Sequence, residues 1–583
     1  MREYFDAEMR QLHEAAQEFA HAYPEQASQL NLDAIKDRDP YVERLLEGVA
    51  FLSAQIRQTI DDDIPEVSEG LLSLMWPHLL RPMPSTTIVE FNPRQGQLQQ
   101  TQILPKHASL LATPVSIKAS NGIQESVTCR FRTVYPVELQ PIRLKKVTAE
   151  EPATGGTLFK YHFKLDPGVK IDALSLTQLK IYLHTDPNIA MLLYKALVGG
   201  ARMVQVRFPE EPTRQPSRLG GQEMVVASHL DTDESLIPLS GQSFSGFHLL
   251  HDYFSFREKY LFLSLKGLDQ VSWPERLREF EIEVYCNEIL PRDVSVSADM
   301  FKLHCCPAIN LFKRASEPVR LTQQRYDYPV IADFHSRQGT EVYSIDEVVG
   351  IDGKTGDRFK YDPLYSFKHD LTGRYFYASR RVLGSGRPET YITVSDDGSF
   401  KEQTLSCEIT ASNGHIPRAN LQIGSVNTPS ADFPGFVSFA NITRPTRMLL
   451  PPDREAFQWA LISHMAMNYA SLSDTDTFRR LLSLYEWSAE TPNQRRIAGL
   501  EIISCKPAEL IKRGALMRGM ELVIRMNDNS FGSTADSYLF GTVLHKFFSS
   551  YANVNSFIST RIQTHPSNEE FVWQPTFGDA SPI

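Results

Sequence analysis

Apolar positions at the start of the chain recur with helical spacing. Phe5, Met9, Leu12, Ala16, Phe19 and Tyr23 are separated by 4, 3, 4, 3 and 4 residues, with Glu8, Glu14 and Glu18 off that line. The spacing predicts a helix with one narrow apolar seam, ended by Pro24. A second helix is predicted from Asp39-Pro40, an N-cap acceptor followed by the residue pre-set for the first helical position. Val42, Leu45, Val49, Leu52 and Ile56 fall on one of its faces, and Glu43, Arg44 and Glu47 on the polar side. A third helix is expected after Asp61-Asp62-Asp63, whose charge suits the N-terminal end of a helix dipole. It runs through Val67, Leu71, Leu74 and Met75 towards Pro77 and Pro82. The seam of the first helix fits two arrangements: packing on the core of its own domain, or a bundle completed by another chain. Its near absence of polar breaks and its terminal position favour the second.

After Pro84 the period falls to two. In 127–135, Val127, Cys129, Phe131 and Tyr135 alternate with Thr128, Arg130, Arg132 and Val134, which predicts a half-buried strand. Phe280, Ile282, Val284 and Cys286 alternate with Glu281, Glu283 and Tyr285 in the same way. Asn121-Gly122, Asp352-Gly353, Asp397-Gly398 and Asn413-Gly414 punctuate the region to about residue 440, which suits hairpins. Beyond Pro451-Pro452 helical spacing returns in Phe457, Leu461, Met465 and Tyr469, then in Phe478, Leu481, Leu482 and Tyr485. A strand with Met520, Leu522, Ile524 and Met526 follows, then a helix with Phe540, Val543, Leu544, Phe547 and Tyr551.

The expected fold class is therefore multidomain α+β: an N-terminal helical segment (1–84), β-rich middle domains (85–300 and 301–446) and a mixed α/β C-terminal unit (447–583). A length of 583 residues supports that many domains, and 42% apolar residues can fill several cores.

Charge narrows the function. Residues 1–70 hold six basic and sixteen acidic residues, which is already the whole net charge of −10; the remaining 513 positions balance at 54 against 54. A nucleic-acid binder needs a basic surplus to release phosphate counterions, and neither section supplies one. Cys129, Cys286, Cys305, Cys306, Cys407 and Cys505 are few and scattered, which reads as a reducing compartment without a disulfide framework. The opening Met1-Arg2-Glu3-Tyr4-Phe5-Asp6-Ala7-Glu8 has acids where an export signal would be basic. Nor does any stretch approach the roughly 18 consecutive apolar residues of a membrane span. Membrane association is expected only through a partner.

Motifs for chemistry fail on inspection. His13-Glu14-Ala15-Ala16-Gln17 lacks the second imidazole that a zinc-protease helix needs, because Gln17 stands in its place. Gly353-Lys354-Thr355 lacks the phosphate loop's earlier glycine, since Val348 occupies it, and Asp352-Gly353 reads as a hairpin turn. Gly241-Gln242-Ser243-Phe244-Ser245 ends in serine where a nucleophile elbow requires glycine. His304-Cys305-Cys306 with Cys286 offers no Cys-x-x-Cys spacing, and Cys286, on an apolar strand face, reads as a buried structural thiol. Asp61-Asp62-Asp63 and Asp396-Asp397 read as capping or solvated features. No catalytic, metal or cofactor residue is assigned, and the chain is read as no enzyme.

The strings Asp39-Pro40-Tyr41-Val42-Glu43-Arg44-Leu45-Leu46-Glu47, Asp62-Asp63-Ile64-Pro65-Glu66 and Pro77-His78-Leu79-Leu80-Arg81-Pro82-Met83-Pro84-Ser85 resemble the TssF family, also called ImpG or VasA. The likeness continues in Asn310-Leu311-Phe312 with Glu317-Pro318, in Glu341-Val342-Tyr343-Ser344-Ile345-Asp346 and in Asn413-Gly414-His415-Ile416-Pro417. It ends with Met467-Asn468-Tyr469-Ala470-Ser471-Leu472, Arg518-Gly519-Met520-Glu521, Tyr551-Ala552-Asn553-Val554-Asn555-Ser556-Phe557 and Trp573-Gln574-Pro575. Ala470 departs from the family pattern without functional consequence. The resemblance implies a structural baseplate wedge subunit of the bacterial type VI secretion system, in the cytoplasm and docked at the inner face of the membrane through its partners. It implies assembly with TssG, a second copy of TssF, TssE and TssK, around the VgrG hub on which the Hcp tube and the contractile sheath form. No cofactor is implied.

For partner contacts the seam residues Phe5, Met9, Leu12, Phe19 and Tyr23 are the first candidates, and the aromatics Phe547, Tyr551 and Phe557 the second. Phe548 belongs to the same aromatic cluster, and a plain local core is the alternative for all of them. Pro82 to Pro84 and Pro451-Pro452 are candidate hinges for two copies held in unequal positions. A sugar- or surface-binding β module and an uncatalogued hydrolase are the competing classes.

Overall fold

The structure is a computed structural model, and it describes residues 2–22, 40–118, 124–174, 176–238, 246–322, 324–333, 339–365, 373–382, 388–395, 403–452, 455–465, 474–512, 514–552 and 556–578. Within long elements some of these are described by their backbone alone. Asn121-Gly122, Asp397-Gly398, the 241–245 segment, Tyr23 and the 467–472 motif lie outside the described residues.

Two units separate. One comprises Met1–Met75 with Asp453–Met465, and the other Trp76–Pro452 with Ala466–Ile583. The first unit is helical: Arg2–Ala22, Pro40–Met75 and Glu455–Met465. The N-terminal seam forms the predicted helix. The separate second and third helices do not appear, because Pro40–Met75 is one helix of 36 residues. Asp61-Asp62-Asp63 was the only signal for a break before Pro65, and charge without a glycine or a turn pair does not interrupt the hydrogen-bond ladder. Pro65 removes a single backbone donor from it. The helix Glu455–Met465 joins this unit from far along the chain by burying Phe457 and Leu461, and the Ser68 hydroxyl lies 2.5 Å from Gln458 Oε1.

The second unit is built from sheets. A six-stranded sheet orders Val426–Pro429, Ser109–Ala112, Arg130–Thr133, Cys305–Ile309, Thr86–Pro93 and Val437–Asn441. Another carries Ser217–Gly220, Ala201–Arg207, Glu279–Cys286, Thr157–Leu165 and Ile142–Glu150. There the predicted strand buries Phe280, Ile282, Val284 and Cys286 as the alternation required. Glu283 is buried too, which alternation did not predict; Arg207 Nε donates to its carboxylate at 2.8 Å. The 127–135 stretch is two strands rather than one, Gln124–Val127 and Arg130–Thr133, in different sheets. Val127, Cys129, Phe131 and Tyr135 are buried as expected, but Val134, expected on the other face, is buried too, and the chain changes partner at Thr128 and Cys129, which periodicity alone cannot reveal.

A third sheet of this unit contains Phe312–Ala315, Gln403–Ser412, Glu341–Asp352, Arg358–Pro363, Tyr375–Val382 and Pro388–Ser395. Asp352-Gly353 makes the predicted turn between Glu341–Asp352 and Arg358–Pro363: Asp352 Oδ1 accepts from the backbone of Lys354 at 2.8 Å and of Thr355 at 3.1 Å. Asn413-Gly414 makes no hairpin but leads into the short helix Ile416–Asn420, with Gly414 in the left-handed region.

At the C-terminal end the order is Leu500–Lys512, Ala515–Asn527, Ser556–His565 and Glu570–Phe577. Ala515–Asn527 and Ser556–His565 are parallel, so the helix Thr534–Ser549 is their crossover. Ser533 caps that helix, and nearly every one of its side chains is buried. The fold is multidomain α+β, as expected from the sequence.

Candidate functional site

In the helical unit the seam residues Phe5, Met9 and Leu12 are half-buried, and the helix carrying them packs along Pro40–Met75. Phe19 belongs to that helix through its backbone, but its side chain, like all of Tyr23, lies outside the described residues. The long helix turns Ala50, Ala54, Ser68 and Leu72 inward. Four of its apolar residues point away, Tyr41 being 80% exposed, Leu45 70%, Val49 45% and Leu52 60%, while the side chains of Val42 and Ile56 lie outside the described residues. Spaced by four, four and three, these four residues form one uncovered stripe of about three turns. Leu45, Val49 and Leu52 were expected to share a face, and they do. Their exposure could not be read from the sequence, because an apolar stripe looks the same covered or bare.

The C-terminal aromatics are placed differently. Phe547 and Phe548 are enclosed, with Phe478 5.0 Å from Phe548 and Phe247 5.6 Å from Phe547 between ring centroids. Tyr551 is half-buried against Phe547, and Phe557 is buried beside Phe577. Phe547, Phe548 and Phe557 pack within their own chain, while Tyr551 keeps part of its surface exposed.

Titratable groups in the sheet unit are tied into structure. Asp536, closed to solvent, accepts from Arg496 at 2.9 Å and from Arg257 at 3.1 Å. Lys195 reaches Glu569 at 2.7 Å and Glu288 at 3.1 Å. A hollow of about 670 Å³ lies among Glu501, Arg525, Gln563, His565, Glu569 and Glu570. Two of its carboxylates already have partners, Lys195 for Glu569 and Arg561 for Glu570. His78 and His251 are buried; burial first, and then the neighbouring His251, holds His78 down at about 3. Burial holds His251 down at about 4. Both rings are neutral near pH 7, with Nδ1 of His78 and Nε2 of His251 closed off from solvent and unpaired.

Burial pushes the thiols of Cys129, Cys286 and Cys306 up to about 12, far from nucleophilic use. Cys286 is therefore the inert thiol its strand position predicts. Among the described residues no group of three or more His, Cys, Asp or Glu is arranged to hold a metal ion. None of the described helices is long and apolar enough to cross a membrane.

A sequence profile described as "Type VI secretion system, TssF" matches residues 1–580. The type VI secretion system component TssF1 of Pseudomonas aeruginosa is 29% identical, with 98% of each chain covered. Among solved structures, a chain of the TssK-TssF-TssG baseplate subcomplex of the type VI secretion system superposes with a TM-score of 0.78 at 28% identity. That match covers 93% of this chain and 99% of the other. A chain of a type VI secretion system baseplate complex shares the fold over 100% of both chains, with a TM-score of 0.61 at 24% identity.

Proposed function

The chain belongs to the TssF family, baseplate components of the type VI secretion system, and from that premise we propose that it is a wedge subunit whose helical unit is completed by helices of TssG and of a second copy of itself. The observation that supports this is the exposure of Tyr41, Leu45, Val49 and Leu52 along one stripe. Fully burying side chains of this size contributes about 1.5–3 kcal/mol each, so a partner helix covering the stripe gains several kcal/mol. The seam of Phe5, Met9, Leu12, Phe19 and Tyr23 belongs to the same shared bundle.

The solved relative at 28% identity comes from an assembly named for TssK and TssG, which supports taking both as partners here. On this reading TssE joins the wedge, and wedges close around the VgrG hub, where the Hcp tube and the sheath polymerise. The chain turns over no substrate. It works in the bacterial cytoplasm and meets the inner membrane face through its partners.

Expression alone and together with TssG, followed by sizing, tests the proposal. Expected are self-association of the lone chain and a defined complex when TssG is present. A lone chain that stays monodisperse and ignores TssG overturns it.

A further inference from the structure

Three arginines from distant parts of the sequence converge on Tyr343 in the sheet unit. Arg81 follows the turn Pro77–Leu80, Arg132 lies in Arg130–Thr133, and Arg380 lies in Tyr375–Val382. All three are half-buried. The Arg81 guanidinium carbon lies 5.5 Å from the Tyr343 ring centroid. Arg380 Nη2 donates to the carbonyl oxygen of Val342 at 2.7 Å and to that of Tyr343 at 3.4 Å. Arg132 acts electrostatically on both Tyr343 and Asp346.

None of the three forms an ion pair with a carboxylate among the described residues. The nearest acids are otherwise placed. Asp346 accepts from the Ser344 hydroxyl at 2.7 Å and from the Thr410 hydroxyl at 2.6 Å, and Glu341 acts on Arg380 only at longer range. Arg132 Nε is closed off from solvent without a hydrogen-bond partner, and the Tyr343 hydroxyl is buried beside Arg81. Burial first, and then the charge of Arg81, pushes Arg380 down to about 10, and burial likewise lowers Arg132. Lys313 and Lys106 add positive charge nearby, since both act with Arg132 on His107.

A core does not gain from such a group. Like charges repel and partial desolvation of a guanidinium is costly; Asp346 and Glu341 offset this through space, and burial still wins at both Arg132 and Arg380. Arg132 makes no side-chain hydrogen bond that a neutral residue would lose. The guanidinium groups stay partly exposed, and their terminal donors match the planar geometry of a carboxylate. We propose that Arg81, Arg132, Arg380 and Tyr343 form a carboxylate-binding site that receives an acidic side chain from a partner polypeptide. It is distinct from the apolar stripe of the helical unit and rests on the reading of the chain as an assembly subunit. A polypeptide is the favoured source because residues 71–583 balance at 54 basic against 54 acidic, so these arginines lie in no basic surplus of the kind an extended polyanion such as nucleic acid needs, and a single carboxylate matches them.

The test uses the full-length chain, alone, with a hexaglutamate peptide as probe at fixed ionic strength. Hexaglutamate is expected to raise the melting temperature saturably, and Arg132→Gln to weaken its binding about tenfold, the scale of a lost charge-assisted contact. The free Arg132→Gln protein is expected to melt no lower than the natural chain, which separates a binding role from a structural one. Unchanged peptide binding in Arg132→Gln overturns the proposal, as does an equal loss in Lys313→Gln, which would mean diffuse attraction. Inorganic phosphate or a DNA oligonucleotide that displaces the peptide with higher affinity also overturns it. Because TssG is absent, failure here is separable from failure of the shared helical bundle.

Discussion

Lys259 Nζ lies 2.6 Å from Asp252 Oδ2, and neither side chain has appreciable exposure. Asp252 Oδ2 also accepts from the backbone of Leu236 at 3.2 Å, so the pair ties the helix Phe247–Ser255 to two flanking segments. Truncating one member leaves a buried charge without its counter-ion. Lys259→Met is expected to cost about 3–5 kcal/mol in urea unfolding, and adding Asp252→Asn to recover most of it. If the double variant is no more stable than Lys259→Met, the pair is not what holds this corner.

Acidification is expected to destabilise the sheet unit. His78 is held at about 3 and His251 at about 4, both mainly by burial, whereas the unfolded chain binds protons near 6.5. Below about 6.5 the unfolded state therefore takes up the protons the folded state refuses. The stability these rings contribute is complete above that pH and is lost as pH falls towards 4. The slope is about 1.4 kcal/mol per pH unit for each such ring. Urea midpoints between pH 7.5 and 4.5 measure it. His251→Phe, which keeps a ring against Trp487 at its 4.4 Å centroid separation, is expected to flatten the slope; an unchanged slope refutes the assignment.

Gly541 sits inside the buried helix Thr534–Ser549, where helix propensity alone favours alanine by about 1 kcal/mol. The neighbouring sheet reverses that sign. A Cβ on Gly541 would stand 2.5 Å from Ile562 Cδ1 and 2.7 Å from Trp573 Cη2. Gly541→Ala is expected to destabilise by about 1–3 kcal/mol, as overpacking does, read as a lowered melting temperature.

The helical unit should separate binding from folding. Leu45→Asp with Leu52→Asp changes side chains already in water and is expected to move stability by under about 0.5 kcal/mol per site while abolishing co-purification with TssG. Leu12→Asp with Phe19→Asp is expected to abolish it too. If the chain keeps TssG in both cases, the bundle lies elsewhere.

Local patterning was legible, and long-range pairing was not. Leu522, Ile524 and Met526 are buried along one strand face, and Phe478, Leu481, Leu482 and Tyr485 along one helix face, as their spacing required. Those signals are carried by neighbours in sequence. The helix Pro40–Met75 was divided because an acidic run before a proline imitates a helix start. Glu455–Met465 gave no sign that it packs with Pro40–Met75, since an apolar face does not name its partner. The stripe of Leu45, Val49 and Leu52 was visible as a face but not as a bare one. The convergence of Arg81, Arg132 and Arg380 was invisible, because a loop and two strands of separate sheets meet only in the fold.

The register of the six-stranded sheet sets a timetable for synthesis. Glu90 pairs with Ala440, so the edge of Thr86–Pro93 that receives Val437–Asn441 stays open while about 350 further residues are made. At about 5–20 residues per second that interval is roughly twenty to seventy seconds. Throughout it, a nascent chain carries an unclosed strand behind an N-terminal unit that itself awaits Glu455–Met465. The ribosome has made most of this subunit before either half can close, so an unpaired strand edge is exposed through most of synthesis.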